Sequence, residues 1–169
     1  MEIETGRLLL REHALEDYER FWQMMIDPIA KKYTGGITTL SYEERKKKFQ
    51  NDLETGNDSD ELELAVIEKN SGKYLGYCGV RRMKNSDNYE FLYGYCQDSW
   101  GHGYATEAGK AFLDYMFKHF NQISYFATSD LNNTASVKVL KKLGFKRKKK
   151  QEELDYIVDL YILEKDEAN

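Results

Sequence analysis

The sequence predicts one α+β domain over residues 1–169, with a mixed, largely antiparallel central sheet of about six to seven strands and about four flanking helices. Strand-like stretches from 61 to 96 are separated by short polar turns. This arrangement is typical of an antiparallel meander, because parallel neighbours need a long crossover. Apolar residues at helical spacing precede and follow the meander. A chain of 169 residues, 41% of them hydrophobic, is long enough for one such core.

The N-terminal quarter predicts a strand followed by a helix. The strand runs from Ile3 to Arg11, and the helix from Leu15 to Met25 ends before Pro28, which cannot continue it. The helix carries an apolar stripe at i, i+3, i+4 and i+7, which we expect in the core: Tyr18, Phe21, Trp22 and Met25.

A second helix is predicted from Ser41 to Leu53. Ser41 is followed three residues later by Glu44, which is the spacing of a capping box. The glycines at 35–36 predict a turn before this helix, and the polar stretch 55–60 predicts a loop after it.

The meander consists of three predicted strands, Glu61 to Glu68, Lys73 to Met83 and Tyr89 to Cys96, with a hairpin turn at 70–72. A helix of about four turns follows, because Ala105, Ala108, Phe112 and Tyr115 share one face. The next predicted strand, Ile123 to Thr128, crosses over through that helix and can therefore pair in parallel with the strand at 89–96.

The last third predicts one more helix and a hairpin. The helix opens at Asn132–Asn133 and ends at Gly144, which suits a left-handed C′ position, with Phe145 as its apolar contact. Lys146 to Lys150 and Tyr156 to Leu163 then form the predicted antiparallel hairpin. We expect the lysines to lie on a solvated face, although contact with a ligand phosphate remains open.

The glycine turn at 100–106 is the most informative motif. It joins a buried strand to a helix, so the first N–H groups of the helix point at one place and have no intrahelical acceptor. Gly101 and Gly103 let a ligand approach the backbone. A P-loop would need Gly-Lys-Ser/Thr where the chain has Gly103-Tyr104-Ala105. A dinucleotide fingerprint would need several further βα units after the turn.

The stretch Trp100-Gly101-His102-Gly103-Tyr104-Ala105-Thr106-Glu107-Ala108 resembles the acyl-CoA pyrophosphate loop of the GNAT superfamily of N-acyltransferases. It is most similar to the branch that contains the ribosomal-protein N-terminal acetyltransferases, in which Trp is common at the position of Trp100. The stretch from Asn133 through Ser136 to Gly144-Phe145 resembles a second GNAT pattern. The resemblance covers nearly the whole chain and implies an N-acetyltransferase that uses acetyl-CoA.

The resemblance also implies which residues bind coenzyme A. The main chain at the end of the central strand would hold the pantetheine arm, the loop would hold the diphosphate, and Asn133 would bond the pantetheine. The residues around Asn133 alone favour a helix cap, and the ligand role is favoured only together with the glycine loop. The implied cofactor-binding residues are Tyr95, Cys96, Gln97, Gly101, His102, Gly103, Tyr104, Ala105, Thr106 and Asn133.

Two residues are candidates for proton transfer. Relatives of this branch place a Glu where this chain has Leu92, and Glu90 lies two residues earlier, on the same side of the strand. Glu90 is the candidate base, and a solvent-exposed structural carboxylate is the alternative. Ser136 is the candidate for protonating the leaving thiolate. The attacking amine must be neutral, which suits an α-amine with a pKa of about 8 better than a lysine amine with a pKa of about 10.4.

Composition restricts the function further. A net charge of −4 argues against a general nucleic-acid binder, and no apolar run approaches membrane-spanning length. Cys78 and Cys96 are expected to be reduced core thiols, and no metal-ligand spacing is present. We therefore expect a cytoplasmic enzyme without a metal. Its partner is an amine acceptor, either a protein N-terminus or a small amine, and a homodimer remains open.

Two other functions remain open at this point. The domain is either an enzyme or a non-catalytic acyl-CoA sensor, and turnover of acetyl-CoA separates the two. A nucleotide-binding module would bind ATP or NAD more tightly than coenzyme A.

Overall fold

The computed structural model describes residues 1–55, 61–84, 86–153 and 156–165, without the side chains of 149–153 and 156–157. Residues 56–60 of the predicted polar loop lie outside this description. The elements are β1 (Glu2–Glu4), β2 (Leu8–Arg11), α1 (Tyr18–Ile26), α2 (Tyr42–Thr55), β3 (Glu61–Glu68), β4 (Tyr74–Arg82), β5 (Tyr89–Tyr95), α3 (Tyr104–His119), β6 (Ser124–Asp130), α4 (Thr134–Lys142), β7 (Lys146–Glu153) and β8 (Tyr156–Glu164). Short 3₁₀ turns, Leu15–Asp17 and Gln97–Ser99, precede α1 and follow β5.

The strands form one mixed sheet in the order β1-β2-β3-β4-β5-β6-β8-β7, in which only β5 and β6 are parallel. The predicted α+β class is confirmed. The described residues contain eight strands instead of six to seven, because the stretch predicted as one strand turns back on itself. The Thr5 N–H donates to the Leu8 carbonyl at 2.9 Å, and Ile3 consequently pairs with Leu10.

The helices cover both faces of the sheet. On one face α3 and α4 pack over the larger core, in which Ala108 and Phe112 of α3 are fully buried. On the other face α1 and α2 enclose a smaller aromatic cluster. There Tyr18 and Phe21 are buried as predicted, whereas Trp22 and Met25 are only partly buried. Among the described helices, none combines the length and the apolar character needed to cross a bilayer.

The local predictions at helix ends and turns are confirmed. The Ser41 N–H donates to Glu44 Oε2 at 2.8 Å and the Glu44 N–H to Ser41 Oγ at 3.3 Å, which is the capping box. The Phe145 N–H donates to the Leu140 carbonyl at 3.0 Å beyond Gly144, whose φ is 91°. Cys78 and Cys96 are free, buried thiols.

The sheet is open at its centre. β5 pairs with β4 along its whole length, from Tyr89 opposite Arg82 to Tyr95 opposite Gly76. In contrast, β5 meets β6 at a single register pair, Glu90 with Phe126, while β6 pairs with β8 throughout. Beyond Glu90 the two strands therefore diverge and leave a gap between them. The sheet is therefore splayed at its centre.

Candidate functional site

The loop after β5 presents a row of unpaired backbone donors. Gly101 and Gly103 have φ angles of 79° and 81°, in the left-handed region that favours glycine. The first helical bond of α3 joins the Glu107 N–H to the Gly103 carbonyl at 3.1 Å. The N–H groups of 101–106 therefore have no intrahelical acceptor, and none of them donates to another acceptor within the described residues. Such donors at the positive end of a helix form a site for a phosphate-bearing ligand.

Long-range contacts hold this loop in place. Glu107 accepts hydrogen bonds from Thr5 Oγ1 at 2.6 Å and from Arg7 Nε at 2.8 Å. The Arg7 guanidinium lies 4.7 Å from the ring centre of Tyr104, and the His102 ring stacks on the same Tyr104 ring, with 5.4 Å between the two ring centres. Arg7 Nη2 is also 3.6 Å from the place where a Cβ on Gly103 would stand. A cation thus lies beside the phosphate site, which the sequence reasoning missed.

The end of β5 is held on both sides. The Cys96 N–H donates to the Leu75 carbonyl of β4 at 2.9 Å. Because neighbouring residues of a strand direct their N–H and C=O groups to opposite sides, the main chain of Tyr95 faces the gap. Trp100 Nε1 donates to the Tyr95 carbonyl at 2.9 Å, so the remaining gap-facing polar group of Tyr95 is its N–H. The side chain of Gln97 is exposed.

Asn133 and Ser136 meet at the start of α4. The Ser136 N–H donates to Asn133 Oδ1 at 3.1 Å, so Asn133 is the N-cap of the helix, as its sequence position also allowed. Its Nδ2 group is not used by the cap. Across the gap, Tyr93 Oη of β5 lies 2.9 Å from Ser136 Oγ and 3.3 Å from the Ser136 carbonyl. The structure thus brings Ser136 to the gap, together with a tyrosine that was not among the candidate residues.

Glu90 lies at the closed end of the gap and is bonded at both oxygens. Thr128 Oγ1 of β6 donates to Glu90 Oε1 at 2.5 Å, and Arg81 Nη2 of β4 lies 3.1 Å from Glu90 Oε2. The Glu90 side chain is 17% exposed, so water can reach it. The carboxylate faces the side of the sheet covered by α1 and α2, opposite to Phe91 and Tyr93.

A shallow cavity opens on the same side, next to the end of β5. It has a volume of about 210 Å³ and is lined by Arg20, Gln23, Met24, Asp27, Cys96, Gln97 and Asp98. Arg20 forms a forked pair with Asp98 at 2.7 and 3.0 Å, and Lys73 Nζ lies 2.8 Å from the same carboxylate. These two cations, Arg20 first, hold the pKa of Asp98 well below its usual range.

No group of three or more His, Cys, Asp or Glu side chains that could hold a metal ion occurs in the described part of the chain.

Comparison with known proteins decides the family. The model of the acetyltransferase (GNAT) domain matches residues 7–146. The chain belongs to the GNAT family. One relative is an N-acetyltransferase of Bacillus subtilis, YnaD, described as uncharacterized; it is 32% identical over 149 residues, which are 87% of this chain and 84% of YnaD.

Solved structures of GNAT proteins share the fold over almost their whole length. An acetyltransferase from Bacillus anthracis has a TM-score of 0.84 and 22% identity, with 97% of this chain and 98% of that chain covered. Spermidine N-acetyltransferase from Vibrio cholerae, solved with CoA and spermine, has a TM-score of 0.80 and 16% identity, with 95% and 96% covered. The acetyltransferase of Salmonella typhimurium that modifies the N-terminal serine of ribosomal protein L7/L12 has a TM-score of 0.80 and 16% identity, with 98% and 100% covered.

These findings confirm the GNAT family that the sequence resemblance indicated. The protein is an N-acetyltransferase of that family, and solved structures with its fold include a ribosomal-protein acetyltransferase. At these identities the likeness to solved structures concerns the fold, so the roles of individual residues remain proposals.

Proposed function

We propose that the protein transfers an acetyl group from acetyl-CoA to a primary amine, by direct attack of the amine on the thioester in a ternary complex. The observation that carries this proposal is the row of unpaired N–H groups at 101–106, directly after the strand that borders the gap. Those donors match a diphosphate, and the gap leads from them to the centre of the sheet.

The cofactor contacts follow the chain from the loop into the gap. The N–H groups between Gly101 and Thr106 bind the diphosphate, with His102 and Tyr104 flanking it. The pantetheine lies along the Tyr95–Gln97 main chain, and the Asn133 amide bonds to it. Arg7 adds a positive charge beside Gly103, although part of this charge is balanced by Glu107 at 2.6 Å.

Acyl transfer from a thioester to an amine depends mainly on how the protein orients the two reactants, and it needs no covalent enzyme intermediate. Holding a neutral amine against a thioester can supply several kcal/mol of the barrier, on the order of 7 or more for well-oriented groups. A main-chain N–H on the gap side of β5 stabilises the oxyanion that forms on the thioester carbonyl.

Proton transfer requires a base and an acid on opposite faces of the gap. Glu90 removes the proton of the attacking amine through a water molecule, because both carboxylate oxygens are already bonded to Thr128 and Arg81. The proton for the leaving thiolate comes from the hydroxyl pair that Ser136 forms with Tyr93. The amine loses one proton and the sulfur gains one, so the reaction is neutral overall.

The acceptor enters on the α1 and α2 side, where the cavity beside Cys96 and Gln97 is lined by the carboxylate of Asp27 and the amide of Gln23. This lining suits an amine-bearing acceptor. The fold neighbours that acetylate spermidine and a ribosomal-protein N-terminus support the two acceptor classes that the sequence left open, a small amine and a protein N-terminus. We also propose that the enzyme works in the cytoplasm, in keeping with its unpaired buried cysteines.

An assay of CoA thiol release across a panel of amines tests the proposal. The panel contains peptides with free N-termini, polyamines such as spermidine, and an aminoglycoside. We expect acetyl-CoA-dependent thiol release with at least one class, and the acetylated amine by mass spectrometry. Coenzyme A binding without turnover on any amine would instead support a sensor, and tighter binding of ATP or NAD would support a nucleotide module.

A further inference from the structure

A hydroxyl pair joins β5 to α4, beside the gap between β5 and β6. Tyr93 Oη lies 2.9 Å from Ser136 Oγ, and either atom can be the donor. The two residues come from distant segments of the chain, and each is only partly exposed. Phe91, two residues before Tyr93, and Tyr95, two residues after it, are buried in the core beneath α3 and α4. Tyr93 therefore shares their face of β5, opposite to Glu90.

Tyr93 is the better acid of the pair because a phenol, with an ordinary pKa of about 10, is more acidic than the aliphatic hydroxyl of serine. Burial raises the pKa of Tyr93 to about 12, while the hydrogen bond with Ser136 acts in the opposite direction. The phenol therefore stays protonated at neutral pH and can donate. When Ser136 Oγ donates to Tyr93 Oη at 2.9 Å, the tyrosine proton points to the Ser136 carbonyl at 3.3 Å. That second bond is long, so the phenol can turn its proton to a sulfur atom in the gap.

We propose that Tyr93 is the proton donor to the departing thiolate, and that Ser136 orients the phenol by donating a hydrogen bond to its oxygen. This inference rests on the proposed acetyl transfer. It places the acid on the central strand, on the face opposite to the candidate base Glu90. Acid and base then act from the two sides of the same gap.

When the tetrahedral intermediate collapses, the C–S bond breaks and its electron pair goes to sulfur. Tyr93 Oη–H gives its proton to that sulfur, and CoA leaves as the thiol. The amine proton is released to solvent through the base on the other face. Solvent then returns one proton to the tyrosinate, so neither the enzyme nor the overall reaction changes in charge.

Three variants separate this role from the alternatives. Tyr93→Phe removes only the hydroxyl, and we expect kcat to fall about 100-fold, within the range typical of general acids. Ser136→Ala removes only the orienting bond, and we expect a smaller loss, of about 3- to 10-fold. Tyr125→Phe is the matched control, because Tyr125 is a fully buried tyrosine on β6 whose hydroxyl has no partner within the described residues. Burial raises the pKa of Tyr125 to about 12 as well. We expect kcat of this control to stay within about 2-fold of wild type.

The decisive measurement compares the loss of kcat in each variant with two leaving groups, the thiol of acetyl-CoA and the selenol of its selenoester analogue. In the selenoester analogue of acetyl-CoA, the leaving selenol is much more acidic than a thiol and departs without a proton. We expect the loss in Tyr93→Phe to shrink from about 100-fold to about 3-fold or less with the selenoester, with CoA affinity unchanged by calorimetry. An equal loss with both donors would overturn the proposal in favour of a structural role. A larger loss in Ser136→Ala than in Tyr93→Phe would make Ser136 the acid.

A second substitution covers the case in which Tyr93→Phe does not fold. Difluorotyrosine at position 93 keeps the ring and lowers the pKa of the phenol, so a donor role predicts a changed rate with acetyl-CoA and an unchanged rate with the selenoester. Equal rates with both tyrosines would contradict the proposal. If the wild-type protein releases no thiol with any amine, the proposed function itself fails, and this outcome is distinct from a failure of the Tyr93 assignment.

Discussion

The cofactor side and the acceptor side of the gap differ in how their polar groups are occupied. The N–H groups of 101–106 have no protein acceptor within the described residues, whereas Glu90 at the closed end of the gap is bonded at both oxygens. The unpaired N–H groups can bind an anion, whereas the Glu90 carboxylate already has hydrogen-bond partners within the protein. In the proposed mechanism, cofactor binding therefore depends on the backbone of one local segment, whereas proton transfer depends on side chains contributed by several elements.

The largest effect is expected where the backbone itself forms the site. Gly103→Val places a branched side chain at a φ of 81° and in the diphosphate cradle. We expect coenzyme A affinity to fall at least about 100-fold, the equivalent of losing about two hydrogen bonds to a charged group. Isothermal titration calorimetry measures this change.

The matched control is Gly72→Val at the β3–β4 turn. Gly72 has a φ of 69° and open space around it, so both variants carry a similar backbone strain of about 1–3 kcal/mol. Only the Gly103 variant should lose coenzyme A. Equal affinities in the two variants would show that the loop does not hold the diphosphate.

Glu90→Gln tests whether Glu90 is the general base. We expect kcat to fall about 100-fold as the base is lost, with coenzyme A affinity unchanged. The free energy of unfolding should change by less than about 1 kcal/mol, because Gln still accepts from Thr128 and the partner Arg81 is 56% exposed. Steady-state kinetics and denaturant titration measure the two effects. An unchanged kcat would leave Glu90 as a structural link between β4, β5 and β6.

Asn133→Asp separates capping from ligand binding. Asp caps a helix about as well as Asn, so stability should change by no more than a few tenths of a kcal/mol. The variant replaces the Nδ2 donor with a carboxylate oxygen, and we expect coenzyme A to bind about 10-fold more weakly, the loss of one hydrogen bond. Asn133→Ala should lose stability as well, by about 1 kcal/mol. If the Asp variant binds coenzyme A as wild type does, Asn133 is a cap only.

The smallest effect concerns Asp98, which lines the cavity beside Cys96 and Gln97. Its pKa is lowered by Arg20 and Lys73, so its contribution to stability is present above the unfolded pKa of about 3.9 and is lost as the pH falls through and below that value. The carboxylate is 49% exposed, and we expect Asp98→Asn to cost less than about 1 kcal/mol at pH 7. Denaturant titrations at pH 7 and near pH 2 should show the difference shrink at acid pH, because the loss begins below the unfolded pKa and is complete only below the lowered folded pKa. A difference that is as large near pH 2 as at pH 7 would contradict the ion-pair explanation.

The same contrast explains what the sequence could predict. The loop, the caps and the Gly144 terminus are encoded over a few neighbouring residues, and the structure confirms them. The position of Arg7 beside Gly103 depends on a contact between the first strands and α3. The Tyr93–Ser136 pair likewise joins two distant segments. Its only signal in the sequence was a tyrosine with the same strand parity as Phe91 and Tyr95, which periodicity alone assigns to the core.

The described residues contain one strand more than the sequence predicted, for a related reason. The stretch from Ile3 to Arg11 reads as one strand, but the turn at Thr5 is formed by a hydrogen bond to the Leu8 carbonyl and by Glu107, which accepts from Thr5 Oγ1. The turn is therefore fixed by a residue on another element, which local propensity does not encode.

The central claim is that the main-chain N–H groups between Gly101 and Thr106 bind the diphosphate of coenzyme A. Amide ¹H–¹⁵N NMR spectra of these residues, recorded with coenzyme A and with pantetheine, which lacks the diphosphate, test it most directly. The account predicts large, saturable downfield shifts of these amide protons with coenzyme A and none with pantetheine. Amides that remain unshifted at saturating coenzyme A would contradict it.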